Sequence, residues 1–248
     1  MRKSKQRARD AAKKVLVLDI GGTFVKIYAT GRAGPVQINS GPTMTPKQLV
    51  NAVKKATDGW NYDVISIGYP GPVVDGKPLN DPANLGKGWV GFDFDKAFGV
   101  PVKIINDAAM QALGSNRAGR MLFLGLGTGM GAALTVDGVP EPMELAHLPY
   151  KNGRSFEQHV GTAALKRLGK KKGTKNVFDV VAQLKNALQA EYVVLGGGNS
   201  KRLTTLPPDT IRGDNEAARE GGFRLWHQTR RRTSRSIRGQ KVNYATPH

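Results

Sequence analysis

Short apolar runs that end in glycine turns punctuate this chain, and they recur in its second half. Val15-Leu16-Val17-Leu18-Asp19 stops at Gly21-Gly22-Thr23 and resumes over Phe24–Ala29, which predicts strand, glycine turn, strand, a β-hairpin. Met121–Leu124 leads likewise into Gly125-Leu126-Gly127-Thr128-Gly129-Met130-Gly131, then into Ala132–Val136 and a turn at Asp137-Gly138. Each half later repeats an apolar strand with a glycine end. Val64–Ile67 runs into Gly68-Tyr69-Pro70-Gly71, and Tyr192–Leu195 into Gly196-Gly197-Gly198-Asn199. Helical periodicity fills the gaps. Pro46–Ala56 carries Leu49, Val50 and Val53 on one side with Thr45 as N-cap. Phe156–Leu168 and Val177–Ala190 read as two further helices, the second with Val177, Val180, Val181, Leu184 and Leu188 on one stripe. Strands alternating with helices define an α/β protein. Two similar halves imply two domains of one ancestral fold with a cleft between them, meeting near Arg117–Arg120.

Composition narrows the chemistry. There is no cysteine, which removes disulfides, thiolate catalysis and Cys-ligated zinc or iron–sulfur clusters. No apolar run approaches the roughly 18 residues of a membrane span, and Val15–Leu18 is too short for a secretory signal, so a cytoplasmic protein is expected. The formal charge of +19 is unevenly spread. Residues 1–14 hold seven Lys/Arg against one Asp, and residues 224–248 hold seven with no acid. The body, 15–223, has 24 basic and 18 acidic residues, a net of +6. The expected organisation is therefore a basic extension (1–14), an N-terminal domain (15–117), a C-terminal domain (118–223) and a disordered arginine-rich tail (224–248). Such arms bind polyanions, nucleic acid included, non-specifically and in a salt-dependent way, or simply solubilise. Inside the body, Lys166, Arg167, Lys170, Lys171, Lys172 and Lys175 form a basic run, read as an exposed loop because Gly169 and Gly173 interrupt the helix. It is either solvated surface or a guide for a phosphate chain.

Glycine after a strand lets the backbone approach a ligand and turn N–H groups toward an anion. Four such loops, two per half, say more than any single one. Gly127-x-Gly129-x-x-Ala132 fits a dinucleotide fingerprint, but a β-like run follows it instead of a helix, so that reading fails. No Walker A, HExxH or GxSxG sequence is present.

In order, Asp19-Ile20-Gly21-Gly22-Thr23, Ile67–Val73, Asn84-x-x-Lys87-x-Trp89-x-Gly91, Asn106-Asp107-Ala108 and Leu124–Gly131 resemble the ROK (repressor, ORF, kinase) family. Within it they are most similar to the glucokinase branch and its polyphosphate glucokinases. The resemblance spans about residues 15–223. It implies two actin-like, ribonuclease H-like domains of the sugar kinase, actin and chaperone superfamily, with a substrate cleft between them.

The resemblance also implies roles. Asp107, after the apolar strand Val102–Ile105, would be the general base that deprotonates the sugar hydroxyl, where the residues alone favour a helix cap. Asn106 and Asn84 would contact the sugar. Glu144-Leu145-Ala146-His147 is similar to a Glu-x-Gly-His element whose Glu and His bind sugar hydroxyls, here with Ala146 for glycine. Glu157 resembles the last sugar-binding glutamate, and otherwise suits a helix N-terminus. Asp19 would position Mg²⁺, directly or through water. Gly21, Gly22, Thr23 and Lys26 would hold the transferred phosphoryl group, with Gly127, Thr128 and Gly129 as the second phosphate loop and Gly196, Gly197 and Gly198 on the adenosine side.

Two departures are informative. The stretch Leu148–Phe156, where many ROK kinases carry a Cys-rich zinc element, has no cysteine, so no zinc is expected. Fourteen residues before the first strand are too few for a helix-turn-helix domain. The expectation is a cytoplasmic, homodimeric glucokinase using polyphosphate, ATP or both. The competitors are a strictly ATP-dependent kinase of glucose, mannose or an N-acetylated amino sugar, and a silent polyanion-binding ROK-like protein.

Overall fold

The computed structural model describes residues 13–214 and 216–227. Its first sheet starts from β1 (Val15–Ile20), which pairs antiparallel with β2 (Phe24–Ala29), itself antiparallel to β3 (Val36–Asn39). β4 (Val64–Tyr69) adds parallel to β1 on the other side. After a small hairpin of β5 (Val73–Val74) and β6 (Lys77–Pro78), β7 (Val102–Asn106) adds parallel to β4, giving the order β3-β2-β1-β4-β7. The second sheet repeats this wiring. β8 (Arg120–Leu126), β9 (Met130–Val136) and β10 (Val139–Met143) form an antiparallel meander. β11 (Tyr192–Gly196) and β12 (Thr210–Arg212) then add in parallel, for the order β10-β9-β8-β11-β12. Both predicted hairpins and both glycine-ended strands form, and they occupy equivalent places in the two sheets.

Both faces of each sheet are buried, so the central strands are apolar throughout. Leu16 and Leu18 point to a core that also holds Leu49, Val50 and Val53 of α1 (Pro46–Ala56). Thr45 caps α1 with Gln48 in a reciprocal capping box, and Pro46 sits at its start. A short α2 (Phe94–Phe98) closes that core beside Trp89. Val15 and Val17, one residue out of phase, face the opposite side. In the second sheet Leu122 and Leu124 meet α5 (Thr162–Ala187), which follows the single turn α4 (Glu157–Val160).

Helix α3 (Asp107–Ser115) lies against both sheets. Met110 packs with Val15, Val17 and Val64 of the first, and Ala108, Ala109 and Ala112 with Met121, Phe123 and Val194 of the second. The last helix, α6 (Ala217–His227), crosses back from the second sheet to the first. Ser66 in β4 donates its hydroxyl to the Gly222 carbonyl (2.6 Å) and accepts the Trp226 indole N–H (3.0 Å).

Three expectations change here. The helices read as 156–168 and 177–190 do stand apart, parted where Gly169 takes a non-helical φ 75 and ψ 168, but the second begins directly after that residue instead of at Val177. Gly173 stays helical, because its missing side chain makes room for Leu165. The basic residues from Lys166 to Lys175 are therefore exposed on the helical segments either side of Gly169, not carried by a loop. Finally, the limit expected at 223/224 falls inside α6, where Leu113 and Asn116 carbonyls accept from Arg224. The remainder of the expected tail, and residues 1–12 of the basic extension, lie outside the described residues.

Candidate active site

Asn106 and Asp107 stand where α3 begins between the two sheets, with Asp19 and Glu144 near enough to act on the charge of Asp107. β7 ends at Asn106, whose Oδ1 accepts the Ala109 N–H (3.1 Å) as the N-cap of α3. The capping duty open to Asp107 thus falls to its neighbour. Asn106 Nδ2 also donates to the Gly71 carbonyl (3.1 Å), so both ends of this buried amide are engaged. Asp107 is the first helical residue, and its Oδ1 accepts from the Ala108 N–H at 2.7 Å. Burial, reinforced by the nearby Asp19 carboxylate, pushes the Asp107 carboxyl up to about 7; the Ala108 N–H opposes this and the Glu144 charge adds to it. A carboxyl in that range suits proton transfer near neutral pH.

Asp19 stands opposite Lys26 in the β1–β2 register, with Nζ 3.9 Å from Oδ2. Burial raises its pKa against the pull of Lys26. The hairpin tip is closed by Gly21 N–H to the Phe24 carbonyl (3.0 Å), and the Ser40 hydroxyl holds the Gly21 carbonyl (2.6 Å). Gly22 and Thr23 remain exposed at the tip. A Cβ on Gly22 would lie 3.0 Å from Cβ of Asn84, so Asn84 sits against the first glycine loop. Asp81, which the sequence reading passed over, shapes that segment: its Oδ1 accepts from Gly88 N–H (3.0 Å) and Trp89 N–H (2.8 Å). An isolated Asp before a proline reads as turn chemistry, so nothing in the sequence set it apart.

In the second half, the Gly127 N–H closes a turn onto the Gly129 carbonyl (3.0 Å), with Thr128 exposed at its tip. Glu157, at the start of α4, directs Oε2 to this loop, accepting from Met130 N–H at 3.4 Å. Its own N–H donates to the Ala146 carbonyl (3.0 Å), which ties Glu157 to the Glu144–His147 segment. Ala146 is buried in the α5 core and has no left-handed backbone, so its substitution for glycine imposes no strain there. Glu144 and His147 are exposed on either side of it. Gly196 is buried against Phe123, and Gly197 (φ 77) lies so close to the Leu126 backbone that a Cβ would collide. Gly198 opens a 3₁₀ helix, Gly198–Arg202. Two residues that the sequence reading missed lock these loops together. The Gly127 carbonyl accepts from the Thr162 N–H (3.0 Å), the Thr162 hydroxyl (2.8 Å) and Asn199 Nδ2 (2.8 Å).

Asp107 thus has the Asp19 and Glu144 carboxylates near enough to act on its charge, and Glu157 directs a further carboxylate to the second glycine loop. Among the described residues no group of three or more His, Asp or Glu could chelate a metal by side chains alone. A largely buried carboxylate such as Asp19, with the Asp107 carboxyl nearby, fits an ion that takes one or two carboxylates and completes its shell with phosphate oxygens and water, as Mg²⁺ does.

Two sheets of identical wiring joined through a shared helix, with a glycine hairpin from each at the junction, define the two-domain actin-like sugar kinase fold. The ROK family model matches residues 15–141, and the chain belongs to the ROK family. A polyphosphate glucokinase of Mycobacterium tuberculosis is 25% identical over 219 residues, covering 77% of this chain and 80% of the relative. The inorganic polyphosphate/ATP-glucomannokinase of Arthrobacter sp. strain KM superposes with a TM-score of 0.72 at 24% identity, covering 86% of this chain and 98% of that one. A ROK family glucokinase from Streptomyces griseus, solved with glucose and AMPPNP, gives 0.66 at 17% identity, with 86% and 98% covered.

Proposed function

We propose that this chain is a glucokinase that moves the terminal phosphoryl group of polyphosphate, ATP or both onto the 6-hydroxyl of glucose. The observation that carries the reading is Asp107, a carboxyl at the head of the shared helix, raised to about 7 and flanked by Asp19 and Glu144. In the proposed step Asp107 takes the proton of the sugar hydroxyl as that oxygen bonds to the terminal phosphorus. The bond from phosphorus to the bridging donor oxygen breaks, and the shortened donor leaves with its electron pair. Phosphoryl transfer needs chiefly positioning and neutralisation of charge on the transferred oxygens. Backbone N–H groups of Gly22, Thr23 and the Gly127–Gly129 turn, with Lys26, are assigned to that task. Glu144, His147, Glu157, Asn84 and Asn106 are assigned to the sugar hydroxyls. Mg²⁺ held through Asp19 would supply further neutralisation of phosphate charge. Closure of the two lobes on the sugar would exclude water.

Polyphosphate is favoured as a donor by the basic face of α5. That helix starts against the second phosphate loop, and its exposed Lys166 and Arg167 follow one turn later, about 6 Å along the axis. Lys170, Lys171, Lys172 and Lys175 extend the basic surface beyond the bend. The mycobacterial and Arthrobacter relatives, both named for polyphosphate use, support the same donor. The test is glucose 6-phosphate formation by purified protein with Mg²⁺, comparing long-chain polyphosphate with ATP. Product from polyphosphate is expected. Product from ATP alone would leave an ATP-dependent glucokinase, and product only with mannose or an N-acetylated amino sugar would move the acceptor. Polyanion binding with no transfer from any donor would overturn the reading.

A further inference from the structure

The Gly127 carbonyl is the most heavily engaged backbone acceptor at the site. It receives the Thr162 N–H, the Thr162 hydroxyl and the Asn199 side-chain amide at 2.8–3.0 Å. The proton inventory closes. The single hydroxyl hydrogen of Thr162 goes to Gly127, and one Asn199 amide hydrogen goes to Gly127. The other goes to the Thr162 oxygen at 2.9 Å. Asn199 is 7% exposed, so this amide is a buried polar group committed to one backbone oxygen and its neighbour.

Across a trans peptide the carbonyl and the following N–H point in opposite directions. Drawing the Gly127 carbonyl into the protein therefore turns the Thr128 N–H outward, at the exposed tip of the loop. The alternative orientation of that peptide would present a carbonyl oxygen to an anion. We infer that Thr162 and Asn199 are positioning residues for the phosphoryl donor: they fix the Gly127–Thr128 peptide so that its N–H, not its carbonyl, faces the phosphate chain. The same two side chains join the starts of α5 and of the 3₁₀ helix after Gly197. The donor loop, the basic helix and the adenosine-side glycines are thereby held in one register. The inference rests on the phosphoryl-transfer reading for its catalytic consequence, but not for donor binding.

The test uses the full chain with four substitutions. Asn199→Asp is close to isosteric and, when ionised, donates nothing. Thr162→Val keeps the shape and deletes the hydroxyl, whereas Thr162→Ser keeps the hydroxyl. Lys201→Ala, on the same 3₁₀ helix, is the control. Tripolyphosphate binding by calorimetry, glucose binding by calorimetry and steady-state turnover are measured on each, with melting temperature as a check on folding. Asn199→Asp and Thr162→Val are expected to weaken tripolyphosphate binding and lower turnover by about 10–100-fold, since misplacement by an ångström costs that much. Glucose affinity should stay within about twofold, and Thr162→Ser and Lys201→Ala should behave as wild type. Unchanged tripolyphosphate binding in Asn199→Asp and Thr162→Val would overturn the inference, as would equal loss in Thr162→Ser. A wild-type chain that turns over no sugar would contradict the kinase reading alone, because the tripolyphosphate titration still decides this one.

Discussion

The Glu157 carboxylate occupies the space in which a side chain on residue 129 would have to begin. Gly129 thus serves two halves of the site: it gives the phosphate loop its tight turn and leaves room for a carboxylate assigned to the sugar. Gly129→Ala is expected to displace Glu157 and raise the glucose dissociation constant about tenfold or more, in keeping with loss of a hydrogen bond to a charged group. Gly127→Ala, with open space at its Cβ position, should leave glucose affinity unchanged. Calorimetric titration of both variants with glucose checks this.

Proton transfer by a carboxyl held at about 7 carries a signature in two observables. Activity through a deprotonated Asp107 falls as pH drops below about 7, tenfold per unit in kcat/KM once protonation is dominant. Stability moves the other way. The folded state keeps its proton to about pH 7, whereas the unfolded chain loses it near pH 4, so folding is progressively disfavoured as pH rises through that window. Asp107→Asn should flatten this slope and stabilise the fold at pH 8 by on the order of 2 kcal/mol. Urea denaturation at pH 5 and pH 8 measures it. A variant that is less active yet more stable separates a functional carboxyl from a structural one.

Helices α3 and α6 cross with their backbones in contact, through Gly114 and Gly221. A Cβ on Gly114 would run into the Ala217 carbonyl, and one on Gly221 into that of Met110. Gly221→Ala is expected to destabilise by about 3 kcal/mol, as overpacking against rigid backbone does. The melting temperature should fall by roughly 6–12 °C for a chain of this size. Because α3 begins at Asp107, turnover should fall further than the loss of folded protein explains. Active-site-normalised rates test that part.

The α5 basic face predicts a donor-specific effect. Replacing Lys170, Lys171 and Lys172 together by glutamine should raise KM for long-chain polyphosphate several-fold and steepen nothing for ATP, since distant exposed charges act through a screened field. The polyphosphate KM of the wild type should also rise with salt, and less so in the triple variant. Equal effects on both donors would make the lysines ordinary solvated surface.

What was legible in the sequence were the features that local chemistry dictates. Short continuous apolar runs stopped by glycines mark β1, β2, β8 and β9, and the recurrence of that unit exposes the repeat before any contact is known. Thr45 and Gln48 spell out the start of α1. Features that depend on tertiary partners were not legible. The α6 sequence holds two adjacent glycines, poor helix formers, and no helix was expected there. Those glycines are helical because β1 and α3 press against them, Gly222 meeting Val17 and Gly221 meeting Met110. Strands β3 and β12 are four and three residues long and partly or wholly exposed, so they carry no apolar signature. At the site, Asp107 and Glu157 stood out through the order of motifs, whereas Thr162 and Asn199 act across 37 residues of chain and each alone looks like a cap or a turn.

The most direct test of the account is glucose turnover by Asp107→Asn with glucose binding measured on the same preparation. Glucose is expected to bind at near wild-type affinity, with the rate reduced by about 10²–10⁴, the range for loss of a general base. Glucose 6-phosphate formation at a near wild-type rate would contradict it.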